Sequence, residues 1–310
     1  MFSSQLHATR ELLPVAGLDR LAEHLPMAWI DQALSATGTA SIRRRRLPAE
    51  QVVWLVIALA LYRHQSMPEV LATLDLALPS ATEQPVSKSA VTQARQRLGA
   101  SPLAYLFDQS ARAWCRQDAE HHAWQGLSLW AMDGTTFRTP DSADNRAHFG
   151  AQAYASGKVA SYPQVRAVSV TAIPTHLVSD IAFGEYGQNE MLYAKTLIDG
   201  IADHSLTVFD RGFLCAEILL GLTMAGEQRH YLIPAKSNTK WEVLSGHADD
   251  CLVRLRVSPQ ARAKAPELPA HWTARAVRMV SANGKERILL TSLLDRQRFP
   301  APALAECYRR

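Results

Sequence analysis

The sequence predicts a mixed α/β core preceded by a helical N-terminal domain. The first 120 or so residues place apolar side chains at helical spacing. From Leu127 onward, short β-rich runs alternate with helical stretches. Two of the runs, LSLWAMDG and LTVFDRGF, carry an aspartate directly after the apolar residues. We therefore divide the chain at about residue 120, into domains 1–120 and 121–310.

The amino-acid composition limits the classes of protein to which this chain can belong. Of the 310 residues, 47% are hydrophobic and 20% are charged, which is enough for a large core. The net charge of +4 is too small to indicate a nucleic-acid partner by itself, so any DNA contact must depend on local clusters. The scattered cysteines form no Cys-x-x-Cys pair and fit reduced thiols in a cytoplasm. The N-terminus lacks a signal-peptide pattern, and the apolar run 52–62 is too short to span a bilayer.

The helical domain contains a very apolar helix with a basic run before it. The stretch 50–63 is apolar on nearly all sides and is expected at the centre of the domain, with Pro48 at its start. The basic run consists of Arg43, Arg44, Arg45 and Arg46. Four adjacent arginines repel one another unless they are solvated or face an anion, of which a DNA phosphate backbone is the commonest. The run is equally well explained as a solvated connector.

A second basic element covers residues 85–99, PVSKSAVTQARQRLG. Serines near its start are suited to cap a helix. The apolar stripe of this helix consists of Val91, Ala94 and Leu98. Its cations are Lys88, Arg95 and Arg97. This pattern fits the second helix of a helix-turn-helix pair, with the first over 70–78, and fits a plain amphipathic surface helix equally well.

The second half of the chain has a recognisable order of elements. Strand-like runs occur at 127–132, 165–173, 177–183, 206–209 and 231–234, and helical patterns at 190–201 and 213–225. The order of strand, two-strand hairpin, helix, strand, helix and strand, with aspartates closing the first and fourth strands, is that of an RNase H-like α/β fold. Residues 241–294 alternate β-like runs with Pro-rich or Gly-containing connectors, and Asn283-Gly284 is a hairpin signal. We interpret residues 237–296, approximately, as a β-rich insertion.

The two aspartates, Asp133 and Asp210, suggest a metal site. Mg²⁺ and Mn²⁺ prefer hard oxygen ligands and are held by a few carboxylates with waters and substrate phosphates. In two-metal phosphoryl transfer the ions lie about 3.5–4 Å apart, and Asp133 is the candidate bridge between them, with Asp210 a ligand to one ion. Alternatively, an aspartate before glycine is a turn residue, and Asp210-Arg211 is a local ion pair. Five other acids are interpreted as loop residues: Asp141, Asp144, Glu185, Asp249 and Asp250.

The segments around these aspartates resemble bacterial DDE transposases of the insertion-sequence-4 type. AMDGTTFRTPDSADN followed by HFG, and FDRGF, resemble the family's first and second catalytic-aspartate motifs. Residues 23–63 together with QARQRLG resemble its N-terminal domain. The resemblance implies catalytic and metal-binding roles for Asp133 and Asp210. It also implies an RNase H-like core, two Mg²⁺ ions with Mn²⁺ as an alternative, and a β-rich insertion before the last catalytic residue.

The family's third carboxylate lies in a helix motif of tyrosine, two residues, arginine, three residues and glutamate. Tyr308 resembles the tyrosine of this motif, which implies a DNA contact for it. The sequence reaches Arg310 before the matching arginine and glutamate. We therefore expect the C-terminal catalytic helix to be missing and the chain to be truncated.

The resemblance implies a DNA transposase that binds double-stranded DNA, both the terminal inverted repeats and the target DNA, as a dimer. It also implies cleavage and strand transfer in the bacterial cytoplasm, in association with the nucleoid. The alternative is a truncated, catalytically inactive DNA-binding relative that inhibits or regulates transposition. A third interpretation is an RNase H-like nuclease with a different third ligand. Mutation of both aspartates separates the first two, because repression by a DNA-binding relative would survive it.

Overall fold

The computed structural model describes residues 16–40, 47–73, 86–154, 157–280 and 284–309. The chain divides into two compact units, 1–110 and 111–310. Three sequence predictions fall outside the described residues. They are the arginine run 43–46, the end of the predicted first helix of the helix-turn-helix pair, and Asn283 of the hairpin signal.

The described elements of the first unit are helices. They are α1 (Ala16–His24), α2 (Met27–Ala36), α3 (Ala49–Leu61), α4 (Met67–Thr73) and α5 (Lys88–Leu98). Helix α6 (Ser101–His121) begins in this unit and ends in the second. Pro26 and Pro48 occupy the N-cap positions of α2 and α3, where a missing backbone N–H does not interrupt helical hydrogen bonding.

Helix α3 lies at the centre of the first unit, as predicted. Its residues Val52, Val53, Leu55 and Ala58 are buried. It contacts α2, α4 and α5, so an apolar surface on nearly all sides of α3 is matched by neighbours on several sides.

Helix α5 follows its sequence pattern closely. The Ser87 hydroxyl accepts a hydrogen bond from the Ala90 backbone N–H at 3.2 Å, which caps the helix start. Gly99 follows its last turn with a φ of 69°, a conformation that glycine adopts without strain. The predicted stripe of Val91, Ala94 and Leu98 is buried, which confirms the amphipathic assignment.

The second unit is built on one nine-stranded sheet. Its strands are β1 (Ser128–Arg138), β2 (Gln164–Ala172), β3 (Val178–Glu185), β4 (Ser205–Phe209), β5 (Arg229–Pro234), β6 (Trp241–His247), β7 (Asp250–Arg256), β8 (His271–Val280) and β9 (Glu286–Thr291). The spatial order is β3-β2-β1-β4-β5-β9-β8-β7-β6. Strands β1, β4 and β5 are mutually parallel, and every other neighbouring pair is antiparallel.

Five further helices complete this unit. They are α7 (Ala143–Phe149), α8 (Glu190–Leu197), α9 (Ala216–Met224), α10 (Pro259–Lys264) and α11 (Ala301–Arg309). The predicted order of strand, hairpin, helix, strand, helix and strand is confirmed by β1 to β5 with α8 and α9. Helix α7 between β1 and β2 was not predicted. Among the described residues, no helix combines the length and the apolar character needed to cross a membrane.

The sheet has a hydrophobic core on each face. Because strand side chains alternate, Trp130 and Met132 of β1 join a cluster with residues of α8 and α9. Leu127 and Leu129 belong to a second cluster that includes residues of α11. The central strands are therefore buried on both sides, and any polar side chain on them must lie near a strand end or pair with a partner.

The segment interpreted as an insertion continues the main sheet. Strand β9 pairs antiparallel with β5, Ile233 lying opposite Leu290, and β8, β7 and β6 follow outward. The pattern of short β-like runs did not predict that these strands would join the main sheet. Three acids assigned to loops lie in regular elements instead: Asp144 in α7, Glu185 at the end of β3 and Asp250 at the start of β7.

Candidate active site

Asp133 and Asp210 are neighbours across two parallel strands. Met132 of β1 lies opposite Phe209 of β4, so the aspartates occupy the next step of the same register. Adjacent strands are about 4.8 Å apart. Met132 and Phe209 both belong to the cluster on the α8 and α9 side, so alternation directs the two aspartates to the opposite, α11 side.

The two aspartates differ in local structure. Asp210 directly follows β4, and its Oδ2 accepts a hydrogen bond from the Gly212 N–H at 3.2 Å, capping the short 3₁₀ turn Arg211–Phe213. Asp133 was expected at a strand end, but β1 continues to Arg138 because it pairs with β2 along its whole polar half. Asp133 is therefore an in-strand residue, and the interpretation of Asp133-Gly134 as a turn is wrong.

The electrostatics of Asp133 reflect its surroundings. Part of its side chain remains exposed, yet the neighbouring protein desolvates the carboxyl group and raises its pKa. The negative charge of Asp210 raises this pKa further, while a hydrogen bond from the Gly134 backbone N–H, 2.8 Å from Oδ1, opposes the shift. Two carboxylates in this arrangement repel each other, and a cation between them would relieve the repulsion.

Tyr308 is the predicted DNA-contact residue that the fold brings to the aspartates. It packs, partly buried, against the core cluster on the α11 side. Desolvation raises the pKa of Tyr308, and the charge of Asp210 raises it further. A side-chain hydrogen bond with Arg287 and the charge of Arg211 oppose the shift. Tyr308 thus lies beside Asp210, with the guanidinium groups of Arg287 and Arg211 also next to the phenol.

The other predicted DNA-contact residues belong to the first unit or lie outside the described residues. Lys88, Arg95 and Arg97 are exposed on α5. At 100° per residue, Lys88 and Arg95 point in nearly the same direction, whereas Arg97 points to the opposite side of the helix. Only the first two would contact the same stretch of a ligand.

Sequence reasoning missed an acid next to the Asp133 backbone. A Cβ at Gly134 would lie 2.8–3.2 Å from the carboxyl atoms of Glu190, the first residue of α8. The same carboxylate lies 3.8 Å from the Arg166 guanidinium, which also stacks over the Tyr186 ring. Because successive strand residues face opposite sides, Glu190 is on the other side of the sheet from the Asp133 carboxylate. The glycine within a strand was the available signal, since it marks close approach of another group.

Few further carboxylates accompany Asp133 and Asp210 among the described residues. In the part of the chain that the structure describes, no group of three or more His, Cys, Asp or Glu side chains is arranged to hold a metal ion. Two carboxylates nevertheless suit Mg²⁺, which is usually bound by one or two carboxylates with substrate phosphates and waters.

Two family descriptions match the chain over most of its length. Residues 15–108 match "Insertion element 4 transposase N-terminal", and residues 124–310 match "Transposase DDE domain". The second match covers more than half of the chain and includes both aspartates. The chain belongs to the DDE transposase family.

Two curated relatives of this transposase-family chain come from Escherichia coli (strain K12). Transposase InsG for insertion sequence element IS4 is 38% identical over 294 residues, which is 94% of this chain and 65% of that protein. The putative transposase InsZ is 35% identical over 234 residues, or 75% of this chain and 77% of that protein. The chain thus spans slightly less than two thirds of the length of InsG.

A piggyBac transposase synaptic complex with hairpin DNA, solved by cryo-EM, has a TM-score of 0.38 at 10% identity. The alignment covers 91% of this chain and 63% of the piggyBac chain. A likeness of this extent carries no argument about the fold or the site.

Proposed function

We propose that this chain acts in DNA transposition, binding the terminal inverted repeats of an insertion element and performing metal-dependent cleavage and strand transfer. The observation that carries the proposal is the pairing of Asp133 with Asp210 on one face of the sheet, in a chain of the DDE transposase family. Two neighbouring carboxylates repel each other, and a divalent cation bound between them would relieve that repulsion.

In the proposed reaction Asp133 would be a carboxylate ligand shared by two Mg²⁺ ions, and Asp210 would be a ligand to one of them. When bound, Mg²⁺ would supply activation of the attacking hydroxyl and stabilisation of the leaving oxygen. Tyr308 would donate its hydroxyl hydrogen to a phosphate oxygen, because the Arg287 guanidinium is itself a donor and leaves that hydrogen available. Arg211 and Arg287 would add positive charge beside the strand that is cleaved.

The order of the strands supports the proposal that the catalytic unit has an RNase H-like core. The order β3-β2-β1-β4-β5, with β2 antiparallel and the aspartates on β1 and after β4, is the arrangement expected of an RNase H-like core. We propose that residues 1–120 form an all-α DNA-binding domain in which α5 contacts DNA through Lys88 and Arg95. Residues 121–310 would form the catalytic core, and two copies would act together on two element ends in the cytoplasm.

The decisive experiment measures Mg²⁺-dependent cleavage of terminal-repeat DNA by the 310-residue chain and by Asp133→Ala and Asp210→Ala. Cleavage by the unsubstituted chain should be abolished in both variants and retained in Asp249→Ala, which removes an exposed acid elsewhere. Cleavage that survives loss of either aspartate would refute the catalytic assignment. End-specific binding without any cleavage would instead favour the alternative of a catalytically inactive DNA-binding relative.

A further inference from the structure

A pocket of about 510 Å³ lies beyond the ends of β4 and β5, outside the aspartate pair. Its walls come from four separate segments: the start of α9, the loop after β5, the end of β7 with α10, and Trp272 of β8.

The pocket is strongly basic. Four cations line it: Lys236, Lys240, Arg256 and Lys264. None of the ion pairs between described residues involves any of these four. The acid on the wall, Glu217, is engaged by Lys195 instead. Several like charges around one cavity favour the binding of anions.

Uncharged groups on the walls add hydrogen-bond donors and an apolar surface. Cys215 and Ala216, at the N-terminus of the nine-residue helix α9, line the pocket, so the positive end of the helix dipole adds to its positive potential. Trp272 and Leu255 supply apolar wall. A positively charged groove with an aromatic side chain is the combination that binds single nucleic-acid strands.

The pocket adjoins the Asp210 turn. The Lys236 Nζ lies 3.5 Å from the Gly212 carbonyl oxygen, to which it donates, and the Gly212 N–H donates to Asp210. A ligand that contacts Lys236 is therefore next to the turn that positions a proposed metal ligand. Strands β4 and β5 are parallel, so their carboxyl ends open on the same edge of the sheet.

We propose that this pocket binds successive phosphates of one DNA strand that leaves the aspartate pair on the α11 side and crosses the carboxyl ends of β4 and β5 to the α9 side, where the pocket lies. The proposal rests on the proposed function and adds the path of the substrate. A phosphodiester backbone carries one charge per nucleotide and matches cations spread around a wide pocket. A single free phosphate, with a charge of about −2 at most, would leave most of them uncompensated.

The test compares the full chain with the variant K240Q/K264Q in binding a labelled single-stranded oligonucleotide and its duplex, in EDTA, over a range of KCl concentrations. Both lysines are exposed, so folding should be preserved, which the thermal unfolding midpoint checks. Loss of two phosphate contacts should flatten the slope of log K against log salt by about 1.4 for the single strand and about 1.8 for the duplex. The variant K240R/K264R should restore the original slope.

The matched control is K158Q/K285Q, which removes two charges from exposed lysines that lie outside residues 1–120 and do not line the pocket. It should keep the slope of the unsubstituted chain. If K240Q/K264Q and the control change the slope equally, the effect is one of net charge and the proposal fails. It also fails if inorganic phosphate binds saturably to the pocket while oligonucleotide binding is unaffected by K240Q/K264Q.

These outcomes are separable from those of the proposed function, because binding in EDTA requires neither metal nor the aspartates. An unchanged slope with Asp133-dependent cleavage overturns the pocket alone. A flattened slope without cleavage supports the pocket and favours the catalytically inactive DNA-binding alternative.

Discussion

Both carboxylate oxygens of Asp250 accept hydrogen bonds from the Arg275 guanidinium, at 2.7 and 2.6 Å. The Arg275 side chain is 0% exposed. Removing one partner of a buried pair leaves an uncompensated charge, so Asp250→Ala should lower the free energy of unfolding by about 3–5 kcal/mol. Asp249→Ala is the control, because Asp249 is 70% exposed in its pair with Arg278 and should cost about 0–1 kcal/mol. Denaturant unfolding measures both, and equal losses would contradict the prediction.

The same pair predicts a pH dependence. Hydrogen bonding from Arg275, aided by its charge and that of Arg296, holds the pKa of Asp250 below its usual value. The stabilisation is therefore present above the unfolded-state pKa of about 3.9 and is lost as pH falls through the lower folded-state pKa. The stability difference between the unsubstituted chain and Asp250→Asn should be constant near neutral pH and shrink below about pH 4. A difference that stays constant down to acid unfolding would rule this out.

Asp133 should behave in the opposite way. Burial and the charge of Asp210 raise its pKa, so the folded chain binds the proton more tightly than the unfolded chain. Stability then falls as pH rises from the unfolded-state pKa through the folded-state pKa. Asp133→Asn should therefore be more stable than the unsubstituted chain at neutral pH in EDTA, and this advantage should vanish in acid. Thermal unfolding at several pH values measures it, and a less stable Asp133→Asn at neutral pH would contradict it.

Gly134 is expected to be sensitive to a single added carbon. In Gly134→Ala the new Cβ would lie within 3.2 Å of the Glu190 carboxyl atoms, so Glu190 must move away from Arg166. Because Glu190 is flexible, the cost should be about 1 kcal/mol, at the low end for overpacking. In a Glu190→Ala background the same change should be neutral or stabilising. A double-mutant cycle by chemical unfolding measures the coupling, and identical costs in both backgrounds would show that the contact is unimportant.

Tyr308→Phe tests the phenol beside Asp210. It removes the hydroxyl that hydrogen-bonds Arg287 and would contact a phosphate. One hydrogen bond is worth about 0.5–1.5 kcal/mol, so Mg²⁺-dependent cleavage should fall roughly 2- to 10-fold. Tyr105→Phe, in the first unit, should leave the rate unchanged. Equal rates for Tyr308→Phe and the unsubstituted chain would remove Tyr308 from the site.

The sequence pattern of a single segment was sufficient to predict those elements whose structure depends on that segment alone. The stripe on α5, the apolar α3 and the order of the first five strands follow from periodicity, and the position of Asp210 after β4 follows from the run that precedes it. Long-range pairing decides the rest. The polar residues after Asp133 extend β1 only because β2 pairs with them, and Asp250 was interpreted as a loop residue because Arg275, its partner, is 25 positions away. The basic pocket is assembled from four segments, none of which is distinctive alone.

The continuity of the nine-stranded sheet has a consequence for how the chain tolerates deletion. Without residues 237–296, β5 would lose its neighbour β9 and become an outer strand. Its residues Leu232 and Ile233, which are uncharged and buried in the intact chain, would then lie at the edge of the sheet. Such a strand invites pairing with other chains. On this side of the sheet the outer strand is instead β6, which is largely exposed and carries Glu242 and His247 alongside the exposed Val243 and Leu244. Residues 237–296 therefore cover the edge of β5, and a shortened chain made without them should precipitate even though both aspartates are retained.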